Sequence, residues 1–198
     1  VIEISESGMC NRKCSFCPRS DPDYNHVNEF ISSELINKLT LELKDLNYTN
    51  MVLFSGFVEP LLDKNIFNLV KIVRNNLQES RIDMITNGDV LNKERTLKLF
   101  ESGLSTLLIS IYDGEEAEEK LYDLMRSCNL KDHQYKLRKR YLSKEENFGI
   151  SLSNRGGMMA NAEHKISNPL QSLSRPCNYP NYTFFMDYNG DVLICNHD

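Results

Sequence analysis

The sequence predicts an α/β protein: a partial (β/α)6 barrel, or open sheet, of parallel strands followed by a small C-terminal β-hairpin extension. Three observations carry this prediction. Short apolar runs ending in turn residues alternate with amphipathic segments, the order that repeated right-handed crossovers between parallel strands produce. About six strands are read from the alternation, too few to close the eight-stranded barrel. Near the C-terminus, Asn189-Gly190 separates two apolar stretches, a strong hairpin signal.

Taken in order, residues 1–4 read as the first strand. In "SSELINKLTLELKDL", Leu35, Leu39 and Leu43, with Ile36 beside them, repeat at helical spacing behind a Ser cap. "MVLFSG" is a short buried strand stopped by Gly, and "DKNIFNLVKIVRNNL" is the next helix. "RIDMITNG" is a strand ended by Asn-Gly. "NKERTLKLFESG" is a helix capped by Asn92 and stopped at Gly103. "TLLISIYDG" is a further strand, and "EEAEEKLYDLMRSC" a helix whose first turn carries carboxylates that favour its dipole. "HQYKLRKRYL" and "FGISLS" complete the strand count. Beyond residue 153, Gly, Asn, Ser and Pro dominate until the hairpin, in which residues 183–187 and 191–195 flank the turn. A boundary near Gly156 divides the chain into a barrel unit, residues 1–156, and an extension, residues 157–198.

The 198 residues suffice for one core with a small appendage. A formal net charge of -5 argues against a broad nucleic-acid surface, and no apolar run is long enough to cross a bilayer. Three of the six cysteines fall within residues 10–17, too close together for unstrained disulfides. Clustered thiols of this kind bind metal or do redox work, and place the protein in the cytoplasm with no membrane or nucleic-acid partner.

That cluster is "MCNRKCSFCPRS", with Cys10, Cys14 and Cys17. A [4Fe–4S] cubane has four iron corners, each normally bound by a thiolate. Three cysteines from one loop leave the fourth iron for a substrate or cofactor. The loop follows the first strand, so it lies at a carboxyl end of the sheet, where α/β proteins place their sites. A zinc knuckle completed by a remote ligand such as His26 is the other reading of the same thiols.

CxxxCxxC after a first strand resembles the radical S-adenosylmethionine (SAM) superfamily, in which SAM chelates the open iron. The resemblance extends along most of the chain and implies a set of cofactor contacts. Phe16, before the last cysteine, would lie near the adenine. "FSGFVEPLLD" resembles the family's G-x-G-E-P segment through Gly56, Glu59 and Pro60, with Val58 where glycine is usual. Glu59 would receive the SAM ammonium in a charge-assisted bond. Thr86 and Asn87 in "ITNG" and Ser110 in "ISIYDG" would contact the ribose or the carboxylate. Arg155 in "SLSNRGGMM" would pair with the SAM carboxylate or an anionic substrate, beside Gly156-Gly157.

"RPCNYPNYTFFMDYNGDVLIC" resembles the start of the SPASM and Twitch extensions, which carry auxiliary iron–sulfur clusters. Cys177 and Cys195 would be cluster ligands there. The pattern needs more cysteines than these, so the chain is expected to be a piece of a longer protein, with His197 and Asp198 poor substitutes. Two buried structural cysteines are the alternative. Cys128, Met158 and Met159 read as packing residues, and "KLRKR" as a solvated face.

The resemblance implies a radical SAM oxidoreductase. Its [4Fe–4S] cluster, reduced by a flavodoxin- or ferredoxin-like donor, cleaves SAM to methionine and a 5′-deoxyadenosyl radical that takes a hydrogen atom from the substrate. The expected substrate is a small polyol, sugar or amino-sugar. A maturase of ribosomally made peptides is a second expectation, and a non-catalytic zinc or iron–sulfur module a third.

Overall fold

Apolar runs become strands and the amphipathic segments between them become helices. The computed structural model describes residues 1–143, 145–149 and 177–195. It begins with β1 (Ile2–Ile4), α1 (Ser33–Asp45), β2 (Val52–Phe54) and α2 (Ile66–Asn76). There follow β3 (Ile82–Thr86), α3 (Lys93–Glu101), β4 (Thr106–Ile111), α4 (Glu115–Ser127) and β5 (Tyr135–Lys139). The hairpin strands are β6 (Phe184–Met186) and β7 (Val192–Leu193). The expected caps are in place: Leu35 N donates to Ser32 Oγ at 3.1 Å, and Arg95 N donates to Asn92 Oδ1 at 2.8 Å.

The strands form one sheet of order β5-β4-β3-β2-β1-β6-β7, parallel throughout except for the β6–β7 pair. Ile4, Phe54, Met84 and Leu107 stand side by side in register, and each is fully buried or nearly so. Ile36, Leu69, Val73 and Leu99 from the helices cover this face, at about 1.5–3 kcal/mol for each buried side chain. Side chains alternate along a strand, so the opposite face carries Glu3, Asp83, Ser110 and, opposite Ser110 in register, Arg138. This is the arrangement of a partial barrel, with an apolar outer layer and a polar lumen. Among the described residues no helix is long and apolar enough to cross a membrane.

Two expectations are revised here. The hairpin is antiparallel within itself, with Gly190 at φ +92° in its turn, but it continues the main sheet. Its first strand pairs in parallel with β1: Phe184 N donates to Val1 O and Ser5 N to Met186 O, both at 2.9 Å. The open edge of β1 would otherwise present unpaired backbone groups. The "KLRKR" run is not simply a solvated face. It forms β5, whose Lys136 and Lys139 are exposed while Arg138 turns to the lumen. Of "FGISLS", Phe148 and Gly149 end a short 3-10 turn, and the rest lies outside the described residues. So do Arg155, Gly156, Gly157, Met158, Met159, His197, Asp198 and the expected boundary at 156.

Candidate active site

The loop that follows β1 crosses the carboxyl ends of the strands and is tied down on several sides. Arg12 donates through Nε to Asp89 Oδ2 at 2.7 Å and through Nη1 to Asp113 Oδ1 at 3.0 Å, and its Nη2 bonds both carboxylates. Asp89 follows β3 and Asp113 follows β4, so one side chain pins the loop to two strand ends. Asn11 adds a donor to Asp89 at 2.6 Å and accepts from Asn87 Nδ2 at 2.7 Å. On the other flank the Arg19 guanidinium, 5% exposed, donates to Gly8 O and Phe57 O at 3.0 and 3.1 Å. It also meets His26 Nδ1 at 3.1 Å. His26, the fourth ligand of a zinc knuckle in the alternative reading, is exposed and engaged there.

Held this way, Cys10, Cys14 and Cys17 line a cavity of about 340 Å³ together with Phe16, Gly56, Glu59, Thr86, Asn87 and Ser110. Residues drawn from the ends of four strands therefore meet at one place. No two of the six cysteines are bonded to each other, and Cys128 is buried as core packing. Burial pushes the Cys14 thiol up to about 11, with the neighbouring Cys17 and Cys10 sulfurs adding to the shift. Burial likewise raises Cys10. Thiolates at this spot therefore need a cationic ligand, and metal binding drives off such protons. Three thiols lining one cavity suit an iron–sulfur cluster, where each thiolate takes its own iron. The donor set fits a [4Fe–4S] cluster with one corner left to another ligand.

Glu59 organises the next layer. It is 1% exposed, and its carboxylate accepts from Leu61 N at 3.0 Å, Thr86 Oγ1 at 2.7 Å and Asn87 N at 2.7 Å. Burial raises its pKa against the pull of these three donors. Glu59 N donates to Met9 O at 2.8 Å, which joins this turn to the cysteine loop. Three of about four lone-pair positions are thus used, and Oε2 keeps one toward the cavity. Gly56 precedes it at φ +140°, and a Cβ there would meet Ser5 Oγ at 2.8 Å. Val58, in the place of the usual glycine, does not need positive φ. The backbone reaches the cavity along a path open to an L-residue.

Phe16 stacks on Tyr112 with ring centroids 6.1 Å apart and meets Phe148 at 5.1 Å. Cys177 is exposed and Cys195 half-buried, and neither lines the cavity with the first three cysteines. Cavity residues that were not singled out from the sequence include Glu3, Ser55, Tyr112, Arg138 and Arg140. The available signals were a lone acid alternating with apolar residues in β1 and an arginine in β5 followed two positions later by another just past its end. Tyr179 reaches the same region, its hydroxyl donating to Glu3 Oε2 at 2.6 Å. Burial and that carboxylate push the phenol's pKa up.

The chain resembles known proteins as follows. A family profile described as the Radical SAM superfamily matches residues 4–161. The S-adenosyl-L-methionine-dependent 2-deoxy-scyllo-inosamine dehydrogenase of Niallia circulans is 26% identical over 199 residues, covering 100% of this chain and 74% of that protein. The GTP 3′,8-cyclase of Aquifex aeolicus (strain VF5) is 29% identical over 133 residues, 66% of this chain and 40% of the cyclase. The crystal structure of BtrN in complex with AdoMet and 2-DOIA aligns with a TM-score of 0.77 at 24% identity, covering 100% of this chain and 73% of that one. That structural likeness is one of fold.

Proposed function

This chain belongs to the radical SAM superfamily, whose members use a [4Fe–4S] cluster and SAM, and from that premise we propose that it oxidises a hydroxyl group of a small polyol or amino-sugar. The observation that carries the reading is the joining of two sets of residues around one cavity. One set suits the cofactors and the other a hydroxylated molecule.

In this reading Cys10, Cys14 and Cys17 hold the cluster. Glu59 takes the SAM ammonium on its remaining lone pair, and Asn87, Ser110 and the backbone at Gly56 bound the rest of the nucleoside, with Phe16 at the adenine. Thr86 orients Glu59 through its 2.7 Å bond. Arg155 is assigned to a carboxylate. When bound, the cluster and SAM supply the one-electron chemistry that begins hydrogen-atom abstraction. The protein's own contribution is orientation and exclusion of water. Ser55 and Tyr112 offer hydroxyls to a polyol, and the bonds of Arg12 and Glu59 at the strand ends keep the walls in place.

The choice of substrate is supported by the Niallia circulans dehydrogenase, which aligns with the whole chain. Cys177 and Cys195, on either side of the hairpin, are assigned to an auxiliary iron–sulfur cluster. A flavodoxin- or ferredoxin-like donor in a reducing cytoplasm completes the reading, and the acidic net charge favours a small molecule over nucleic acid as substrate.

The test is anaerobic reconstitution with iron and sulfide, then dithionite, SAM and 2-deoxy-scyllo-inosamine. Formation of 5′-deoxyadenosine together with a ketone product supports the proposal. Nucleoside formation with no polyol consumed would leave the family standing and sink the substrate class. Cys14→Ala should abolish cleavage while the protein stays folded.

A further inference from the structure

We infer that the Glu3 carboxylate receives the ammonium of an amine-bearing polyol, making Glu3 a specificity-determining residue. The inference rests on the proposed polyol oxidation and names the group by which that substrate is oriented.

Glu3 lies in β1, is 6% exposed, and opens on the same cavity as the three cysteines. Ser55 Oγ donates to Oε1 at 2.6 Å and Tyr179 OH to Oε2 at 2.6 Å. Both donors are neutral. Among the described residues no cation forms an ion pair with Glu3. A buried carboxylate held only by neutral donors is left under-compensated, and a cation delivered by a ligand corrects that.

Asp83 provides an internal comparison. It lies on the same sheet face and is buried to 3%, but Arg81 closes on it with Nε at 2.9 Å and Nη2 at 2.8 Å. The fold thus supplies a cation to Asp83, which does not line the cavity, and supplies none among the described residues to Glu3, which does. Each of its oxygens spends one lone pair on Ser55 or Tyr179 and keeps another. An ammonium, with three donors, matches those two remaining positions.

Across the cavity, β5 contributes Arg138, whose guanidinium has no hydrogen-bonded partner among the described residues. Its positive charge repels an ammonium and can donate to hydroxyl oxygens. The two walls together orient a molecule with an amine on one side and hydroxyls on the other, amine toward β1. A neutral polyol can use the hydroxyl contacts but leaves Glu3 without its cation.

The experiment is calorimetric titration of the SAM-loaded, cluster-containing protein, without reductant so that SAM stays intact. The two probes are 2-deoxy-scyllo-inosamine and the neutral scyllo-inositol. The unaltered protein should bind the amine at least about tenfold more tightly, the worth of one charge-assisted hydrogen bond. Glu3→Gln preserves size and should lower amine affinity by about 10- to 100-fold, while scyllo-inositol and SAM affinities stay within about twofold. Equal binding of the two probes by the unaltered protein overturns the assignment and leaves polyol oxidation intact, whatever the fate of the variant. A variant that loses both probes, or SAM, equally overturns it as well. No binding of either probe removes the polyol reading and this assignment with it.

Discussion

Replacing Glu6 by Gln should leave stability almost unchanged near pH 4 and raise it by several kcal/mol near pH 8. Glu6 is fully buried just after β1; Ser7 Oγ donates to its Oε1 at 3.1 Å, and Oε2 has no partner among the described residues. Burial, with smaller repulsion from Glu59 and Asp63, raises its pKa from an ordinary 4.5 to about 8. A carboxyl raised on folding contributes nothing below the unfolded value, where both states hold the proton. Between 4.5 and about 8 the folded state keeps a proton that the unfolded chain has lost. Stability therefore falls through that window by about 1.4 kcal/mol per pH unit, reaching about 3–5 kcal/mol. Glutamine is nearly isosteric with the protonated acid and leaves one polar group similarly unpartnered, so the two proteins should match only where the folded and unfolded states both hold the proton, below the ordinary value of 4.5. Urea unfolding of the reduced, metal-free protein at successive pH values measures the difference. A stability gap that stays flat from pH 5 to pH 8 would refute the reasoning, as would a variant that is the weaker protein at pH 8.

Glu59→Ala strands Leu61 N, Thr86 Oγ1 and Asn87 N together, and should cost about 3–5 kcal/mol in the same urea assay. A loss below about 1 kcal/mol would mean that water satisfies those donors and that the turn is less tightly held than described. Gly56→Ala forces a side chain onto φ +140° and against Ser5 Oγ, for an expected loss of about 1–3 kcal/mol. Weakened SAM binding by equilibrium dialysis should accompany it; unchanged stability would show that the turn relaxes freely.

How far this could be read in advance depended on the range of the interaction concerned. The strands of "MVLFSG" and "RIDMITNG" were legible because a buried parallel strand needs continuous apolar residues and an abrupt turn. Ser32 and Asn92 were legible as caps because a cap bonds its own helix three residues on. The cysteine loop was legible because three metal ligands can come from one short stretch. Arg138 was misjudged inside "KLRKR": side chains alternate along β5, so its charges divide between solvent and lumen, and composition alone cannot say which turn inward. Glu3 was passed over because a single acid in an apolar strand announces neither a cavity nor Tyr179, which comes from 176 residues away.

The amino-acid order alone determined the succession of elements, the turn at Asn189-Gly190 and the presence of a three-thiol loop, since each depends on neighbours within a few residues. Tertiary structure alone decided that β6 would dock in parallel on β1, that Arg12 would grip Asp89 and Asp113, and that Glu59 would gather donors from two strand ends. Those pairings join residues far apart in the chain, and their partners are selected by which backbone edges and buried charges still lack one when the sheet closes.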